Sequence, residues 1–373
     1  MKILLLLLTA TLMACGSSET KKEPGLKDVL EDKFELGVAL NTRQSSGRDT
    51  LATEIIQKHF SSIVAENCMK SGELFTAEGE YDFSDADEFV KFGVDNNLNI
   101  VGHCLIWHSQ LPQWFCVDEN GENVSPDVLK ERMKNHIQTV VGRYKGVVKG
   151  WDVVNEAILE DGSYRNSQFY QILGEEFIPL AFQYAQEADP EAQLYYNDYN
   201  EWYEGKRETV IRLINTLKER GIRIDGIGMQ GHIGMNRPSL EEYQATINDY
   251  VNAGVKVLVT ELDMSALPEP RRMGGANLTD MESYRKEIDP YTEGLPEEVS
   301  VEWNNRMMDF FNLFLDNSEN VIRVTMWGVS DGDSWKNGFP VRGRTDYPLL
   351  FDRDHNPKPI VTQLISKLSD QEN

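Results

Sequence analysis

Apolar residues in this chain gather in short runs that recur along its length and end on polar or aromatic residues. The runs are ELGVALN (35–41), SIVAEN (62–67), NIVGHCLIW (99–107), VVKGWDVVNE (147–156), QLYYNDY (193–199), GIGMQGH (226–232), VKVLVTE (255–261) and VIRVTMWG (321–328). Their length and β-branched content mark strands. Near-continuous apolarity, rather than strict alternation, marks strands covered on both faces.

Stretches of helical periodicity separate them. DADEFVKFGVDNN follows Ser84, with Asp87 placed as its capping partner. SPDVLKERMKNHIQTVVGRY begins with Ser125 at the cap and Pro126 at the first helical position. EEFIPLAFQYAQEA stops before Asp189-Pro190, and RETVIRLINTLKERG ends on Gly221. SLEEYQATINDYVNAG opens with a Ser239/Glu242 capping box and ends on Gly254. VEWNNRMMDFFNLFL precedes the last strand, and PIVTQLISKL closes the chain. Strand then helix, repeated eight times, predicts an α/β fold of the (β/α)8 TIM-barrel type. No linker interrupts residues 30–370, so one domain is expected there. Its excess length falls in one long loop at about 264–299.

The N-terminus follows a different pattern. MKILLLLLTATLMAC has a short basic start, an apolar run too short to span a bilayer, and a small residue before Cys15. It resembles a bacterial lipoprotein signal, which implies export and a lipidated Cys15 as the first mature residue. Residues 16–29, polar at their start, read as a tether. Cys68, Cys104 and Cys116 remain, enough for at most one internal disulfide. With no CxxC or HExxH and only six histidines, neither a structural nor a catalytic zinc site is expected, and no cofactor. The formal net charge of −24 disfavours nucleic acid or an anionic membrane as partner, since phosphates would be repelled. Membrane contact is expected only through the lipid.

Candidate chemistry sits where the strands end. WDVVNEA closes a buried strand on an acid, Glu156, and an unpaired buried carboxylate is expensive unless it is solvated, paired or used. The other strand ends carry Asn41; Glu66 and Asn67; His103, Trp107 and His108; Asn155; Tyr199; Gln230 and His232; Glu261 and Asp263; and Trp327. A barrel builds its active site at this end. Two carboxylates surrounded by Trp, His, Asn and Gln suit glycoside hydrolysis. One carboxyl protonates the leaving oxygen, the other stays ionised beside an oxocarbenium-like carbon, and amides hold sugar hydroxyls without competing for protons.

Seven motifs in order carry a family resemblance: AENCMK, GHCLIWHSQLPQW, WDVVNEA, YYNDYN, GMQGH, VTELD and MWGVSDGDSW. Over roughly residues 30–365 the chain resembles the family 10 glycoside hydrolases, which are endo-β-1,4-xylanases. The resemblance implies Glu156 as general acid/base, with Asn155 beside the scissile bond, and Glu261 as nucleophile in a retaining mechanism. It implies that His232 and Asp263 keep Glu261 ionised and oriented, with Gln230 beside them. Glu66, Asn67, Lys70, His103 and Trp107 would grip sugars on the non-reducing side. Trp327 and Trp335 would form stacking walls, and Tyr199 and Asn200 would touch the leaving side. Cys104 stands where the family commonly has Thr, and Ser71 where an aromatic residue or Pro often follows the Lys. The alternatives are a barrel hydrolase acting on another β-1,4-glycan such as glucan, and a non-catalytic surface glycan-binding protein.

Overall fold

The strands form first-order sense of the sequence: they are apolar on both faces because the fold covers both. In a computed structural model, which describes residues 23–268 and 284–370, they close into a parallel barrel. Its strands are β1 (Glu35–Leu40), β2 (Ser62–Ala65), β3 (Asn99–Trp107), β4 (Val148–Asn155), β5 (Gln193–Asp198), β6 (Gly226–Met229), β7 (Lys256–Ser265) and β8 (Val321–Met326). Each pairs in parallel with its sequence neighbour, and β1 closes on β8 through Leu36 opposite Val324. The helices that follow the strands in turn are α1 (Thr50–His59), α2 (Ser84–Asp95), α3 (Pro126–Arg143), α4 (Phe177–Ala188), α5 (Glu204–Glu219), α6 (Leu240–Asn252), α7 (Glu297–Asp316) and α8 (Pro359–Ser369). This is the (β/α)8 barrel expected from the sequence.

Local chemistry explains several helix starts. Ser125 Oγ accepts from Val128 N at 3.4 Å ahead of Pro126, and Leu129, Met133, Ile137, Val140 and Val141 form the buried stripe of α3. Ser239 Oγ accepts from Glu242 N at 3.1 Å while Glu242 Oε2 accepts from Ser239 N at 2.8 Å, completing the capping box. The Ser84/Asp87 pair does not form. Asp82 Oδ1 takes Ser84 N at 2.8 Å instead, and Asp87 is drawn away to the Arg143 guanidinium and the Tyr144 hydroxyl. A carboxylate accepts a charge-assisted pair from arginine in preference to a single amide.

Boundaries shift at several places. The packed fold begins ahead of residue 30, inside the stretch read as tether. A helical turn, Leu26–Val29, buries Leu26 and Leu30 completely, and Leu26 N donates to His59 Nδ1 at 3.3 Å. Strand β7 runs on to Ser265 and α7 begins at Glu297, which trims both ends of the 264–299 loop. Residues 269–283 of that loop, and the signal at residues 1–15, lie outside the described residues. Cys68, Cys104 and Cys116 are free buried thiols, so the bridge that neighbouring strands allow between Cys68 and Cys104 is not formed.

The barrel interior is polar where it approaches the mouth. His103 Nδ1 lies 2.9 Å from Asp152 Oδ2. Two irregularities aim side chains at the mouth. The β3–β4 register shifts between His103 and Ile106, bringing Trp107 opposite Asn155. The β7–β8 register shifts between Val259 and Leu262, which is where Glu261 sits. Bulges of this kind redirect a side chain beside an active site.

Candidate active site

Glu156 follows the last residue of β4 and adopts a left-handed backbone, φ 57°. A non-glycine residue seldom stays there unless its surroundings hold it. Glu156 N donates to Asn197 O at 2.9 Å, and Arg165 Nε donates to Glu156 O at 2.8 Å. The next two residues are gripped as well: Ala157 N donates to Tyr196 Oη at 3.1 Å and Ile158 N to Asp198 Oδ2 at 3.3 Å. Asp198 is itself fixed by Lys206 Nζ at 2.8 Å, and neither side chain reaches solvent. A fully buried ion pair stands behind the strained residue.

One chain of hydrogen bonds links the two candidate carboxylates. Glu156 Oε2 accepts from Trp107 Nε1 at 3.0 Å and Oε1 from Gln230 Nε2 at 3.1 Å. The same Gln230 nitrogen reaches Asn155 Oδ1 at 3.3 Å, and Asn197 Nδ2 reaches that oxygen at 3.0 Å. Asn197 Nδ2 also donates to Glu261 Oε1 at 2.8 Å, and Thr260 Oγ1 fixes the Asn197 amide by donating to its Oδ1 at 2.6 Å. Asn197 lies inside β5, ahead of the strand-end position that marks the other candidates. The signal was present: in QLYYNDY, positions 195, 197 and 199 alternate onto one face.

Glu261 is 5% exposed and meets His232 on its other side, with His232 Nε2 at 3.3 Å from Oε2. His232 Nδ1 lies 3.0 Å from Asp263 Oδ2, which also accepts from Trp335 Nε1 at 2.8 Å, and Lys336 Nζ lies 3.2 Å from Asp263 Oδ1. Burial alone would depress His232, but the charge and bond of Asp263 and the bond to Glu261 outweigh it and push the imidazole up to about 9. Burial alone would raise Glu261, yet the His232 bond and charge and the Asn197 bond hold it below the ordinary carboxylate value. Asp263 is likewise lowered, against burial, by His232 and Lys336.

These shifts make a prediction about stability. The folded His232 binds its proton more tightly than the unfolded one, whose ordinary value is 6.5. Its contribution is complete below that value and is lost as pH rises through about 9. At full strength the proton is worth up to roughly 3 kcal/mol. The melting-temperature difference between wild type and His232→Gln should therefore shrink across that window. A difference that stays constant from acid to alkaline pH would remove the proton from His232.

All fourteen candidate catalytic and substrate-binding residues line one cleft of about 840 Å³ at the mouth of the barrel. On one side, Lys70 Nζ donates to Asn67 Oδ1 at 3.1 Å and lies 4.9 Å from the Trp107 ring centre. Glu66 beside it is raised above its ordinary value by burial, against the nearby charge of Lys70. Trp327 meets His103 edge-on at 5.3 Å, and Trp335 stacks on Phe339 at 5.2 Å. Tyr199 is held by Arg165 Nη2 at 2.7 Å, and Asn200 Nδ2 donates to Glu160 Oε1 at 3.0 Å. Asp263 lies behind the cleft, fully buried. Asn41, another strand-end residue, caps the helical turn Thr42–Ser45 instead. Ser109, Gln110, Lys336 and Phe339 also line the cleft. They lie in loops beyond the strand ends, where no periodicity marks them. Among the cleft residues, the carboxylates of Glu156 and Glu261, flat aromatic faces and fixed amides supply proton transfer, charge stabilisation and sugar binding together.

The chain's likenesses agree with this chemistry. A family model for glycosyl hydrolase family 10 matches residues 25–367. Endo-1,4-beta-xylanase A of Xylanibacter ruminicola is 46% identical over 345 residues, covering 92% of this chain and 94% of that one. An endo-1,4-beta-xylanase of Geobacillus stearothermophilus is 40% identical over 350 residues, covering 92% and 98%. Among solved structures, a GH10 endoxylanase retrieved from a sugarcane soil metagenome superposes with a TM-score of 0.86 at 40% identity, covering 92% of this chain and 99% of that one. A xylanase of Paenibacillus barcinonensis complexed with a conduramine derivative gives a TM-score of 0.83 at 38% identity, covering 94% and 99%.

Proposed function

The chain belongs to glycosyl hydrolase family 10, and on that premise we infer that it is an endo-1,4-β-xylanase with Glu156 as general acid/base and Glu261 as nucleophile. One observation carries the division of roles: the two carboxylates share a hydrogen-bond chain but have opposite surroundings. Glu261 is buried against the cationic His232, which favours a permanent carboxylate. The Glu156 carboxylate is half-buried and bonded by neutral donors, Trp107, Gln230 and Asn155, an arrangement suited to a group that must gain and lose a proton.

Glu261 attacks the anomeric carbon while the Glu156 proton passes to the departing glycosidic oxygen. The covalent glycosyl-enzyme is then opened by water, whose proton Glu156 takes up. Asn155 and Gln230 hold sugar hydroxyls beside the bond. Glu66, Asn67, Lys70, His103 and Trp107 hold the non-reducing side, Trp327 and Trp335 stack on the reactive ring, and Tyr199 and Asn200 meet the leaving side. Digestion of xylan should release a ladder of short xylo-oligosaccharides with retained anomeric configuration. Xylose as the only early product would overturn endo action. Faster release of reducing sugar from carboxymethylcellulose than from xylan would overturn the substrate.

Export and anchoring extend the proposal. Support comes from the apolar run ending at Cys15 and the polar GSSETKKEPG after it. No helix among the described residues is long and apolar enough to cross a membrane. Cys15→Ala should release the enzyme to the soluble fraction or block its maturation. Unchanged membrane association would overturn the lipid anchor.

A further inference from the structure

We propose that Asp49, Asp333 and His355 bind one divalent transition-metal ion, which ties together three loops at the mouth of the barrel. A carboxylate oxygen of each Asp and a ring nitrogen of His355 lie within 4.8 Å of one another. The three come from separate segments. Asp49 caps α1, Asp333 ends the single turn Asp331–Asp333 after β8, and His355 lies in the turn before α8.

Among the described residues, no hydrogen bond or ion pair joins any two of the three. Their spacing, within 4.8 Å, fits an ion placed between them. Metal–ligand distances of about 2.0–2.2 Å put two ligand atoms about 3–4.4 Å apart. A small contraction therefore closes the site.

Each group has an atom to give. Asp49 Oδ1 accepts from Ala52 N at 3.1 Å, and Oδ2 is approached by Arg43 at 3.6 Å, a side chain 69% exposed and able to swing away. Asp333 Oδ2 accepts from Gln44 Nε2 and Ser330 Oγ, both at 3.1 Å, while Oδ1 enters no described bond. His355 Nε2 is sealed from solvent without a hydrogen-bond partner. Buried polar atoms are almost always satisfied, and each exception calls for an explanation such as an ion. One imidazole nitrogen with two carboxylate oxygens suits zinc or a similar divalent ion better than calcium or magnesium, with water filling the remaining positions.

Asp333 stands two residues before Trp335, and its charge also reaches Glu66. A bound ion would fix the turn that carries Trp335 and offset the like charge facing Glu66. Its role is that of a clamp on the cleft wall, independent of which glycan the cleft accepts.

Zinc chloride titrated into the tag-free, EDTA-treated mature chain tests the site by calorimetry and by melting temperature. One ion per chain should bind, and the melting temperature should rise with zinc concentration. His355→Asn keeps a residue at ease with the local left-handed backbone, φ 66°. Asp333→Asn keeps an acceptor for Gln44 and Ser330. Either change should weaken zinc binding by at least about tenfold, as losses around metal ligands do. Metal-free His355→Asn should melt with metal-free wild type, which separates loss of a ligand from loss of the fold. Failure of the wild type to bind zinc, or undiminished binding by His355→Asn, would overturn the proposal.

Discussion

Glu261→Ala is expected to abolish hydrolysis of both xylan and an aryl xylobioside bearing an acidic phenol. The nucleophile forms the bond to the anomeric carbon, and no leaving group, however good, replaces that bond. Removing a covalent nucleophile elsewhere costs on the order of 10⁶-fold in turnover, so both rates should fall to the assay background. The variant vacates a buried site and leaves Asn197 Nδ2 and His232 Nε2 without their carboxylate partner, so its fold should be checked by circular dichroism. A folded Glu261→Ala protein that keeps the aryl substrate would reverse the two roles.

Glu156→Ala should separate the same two substrates. A stable phenolate departs with little protonation, whereas a sugar alkoxide does not. General acid–base help is worth roughly 10²–10⁴-fold, and the gap between xylan and the aryl substrate in the glycosylation step should be of that order. Because Glu156 also activates water, its loss should let the glycosyl-enzyme accumulate. A rapid burst of phenol, one per active site, should precede slow steady release. Equal losses on both substrates, with no burst, would remove Glu156 from proton transfer.

The barrel and its mouth were legible because strand runs, helix caps and strand-end residues are local signals. Gln230, Glu261 and Trp327 could each be placed from the few residues before them, and the closed sheet brings all of them to one cleft. What escaped depends on contacts across the fold. Asp87 is diverted from its helix by Arg143 and Tyr144, which lie far along the chain. Lys336 and Phe339 reach the cleft from a loop whose path is set by packing. The pair Asp198 and Lys206 was invisible because a lysine in a helical stretch normally faces water, and here it is fully buried. The Asp49, Asp333 and His355 group has no sequence motif at all, since its members meet only when β1 and β8 close the barrel.

The left-handed backbone at Glu156 has a bearing on how this enzyme can be improved. Gly or Asn would be at ease at φ 57°, and relief of such strain is commonly worth about 1 kcal/mol or more. A library selected for heat resistance alone would therefore be rewarded for discarding the acid/base. The most durable members of such a library should include folded proteins that bind xylan and no longer cut it, so a durability screen needs a turnover step at every round.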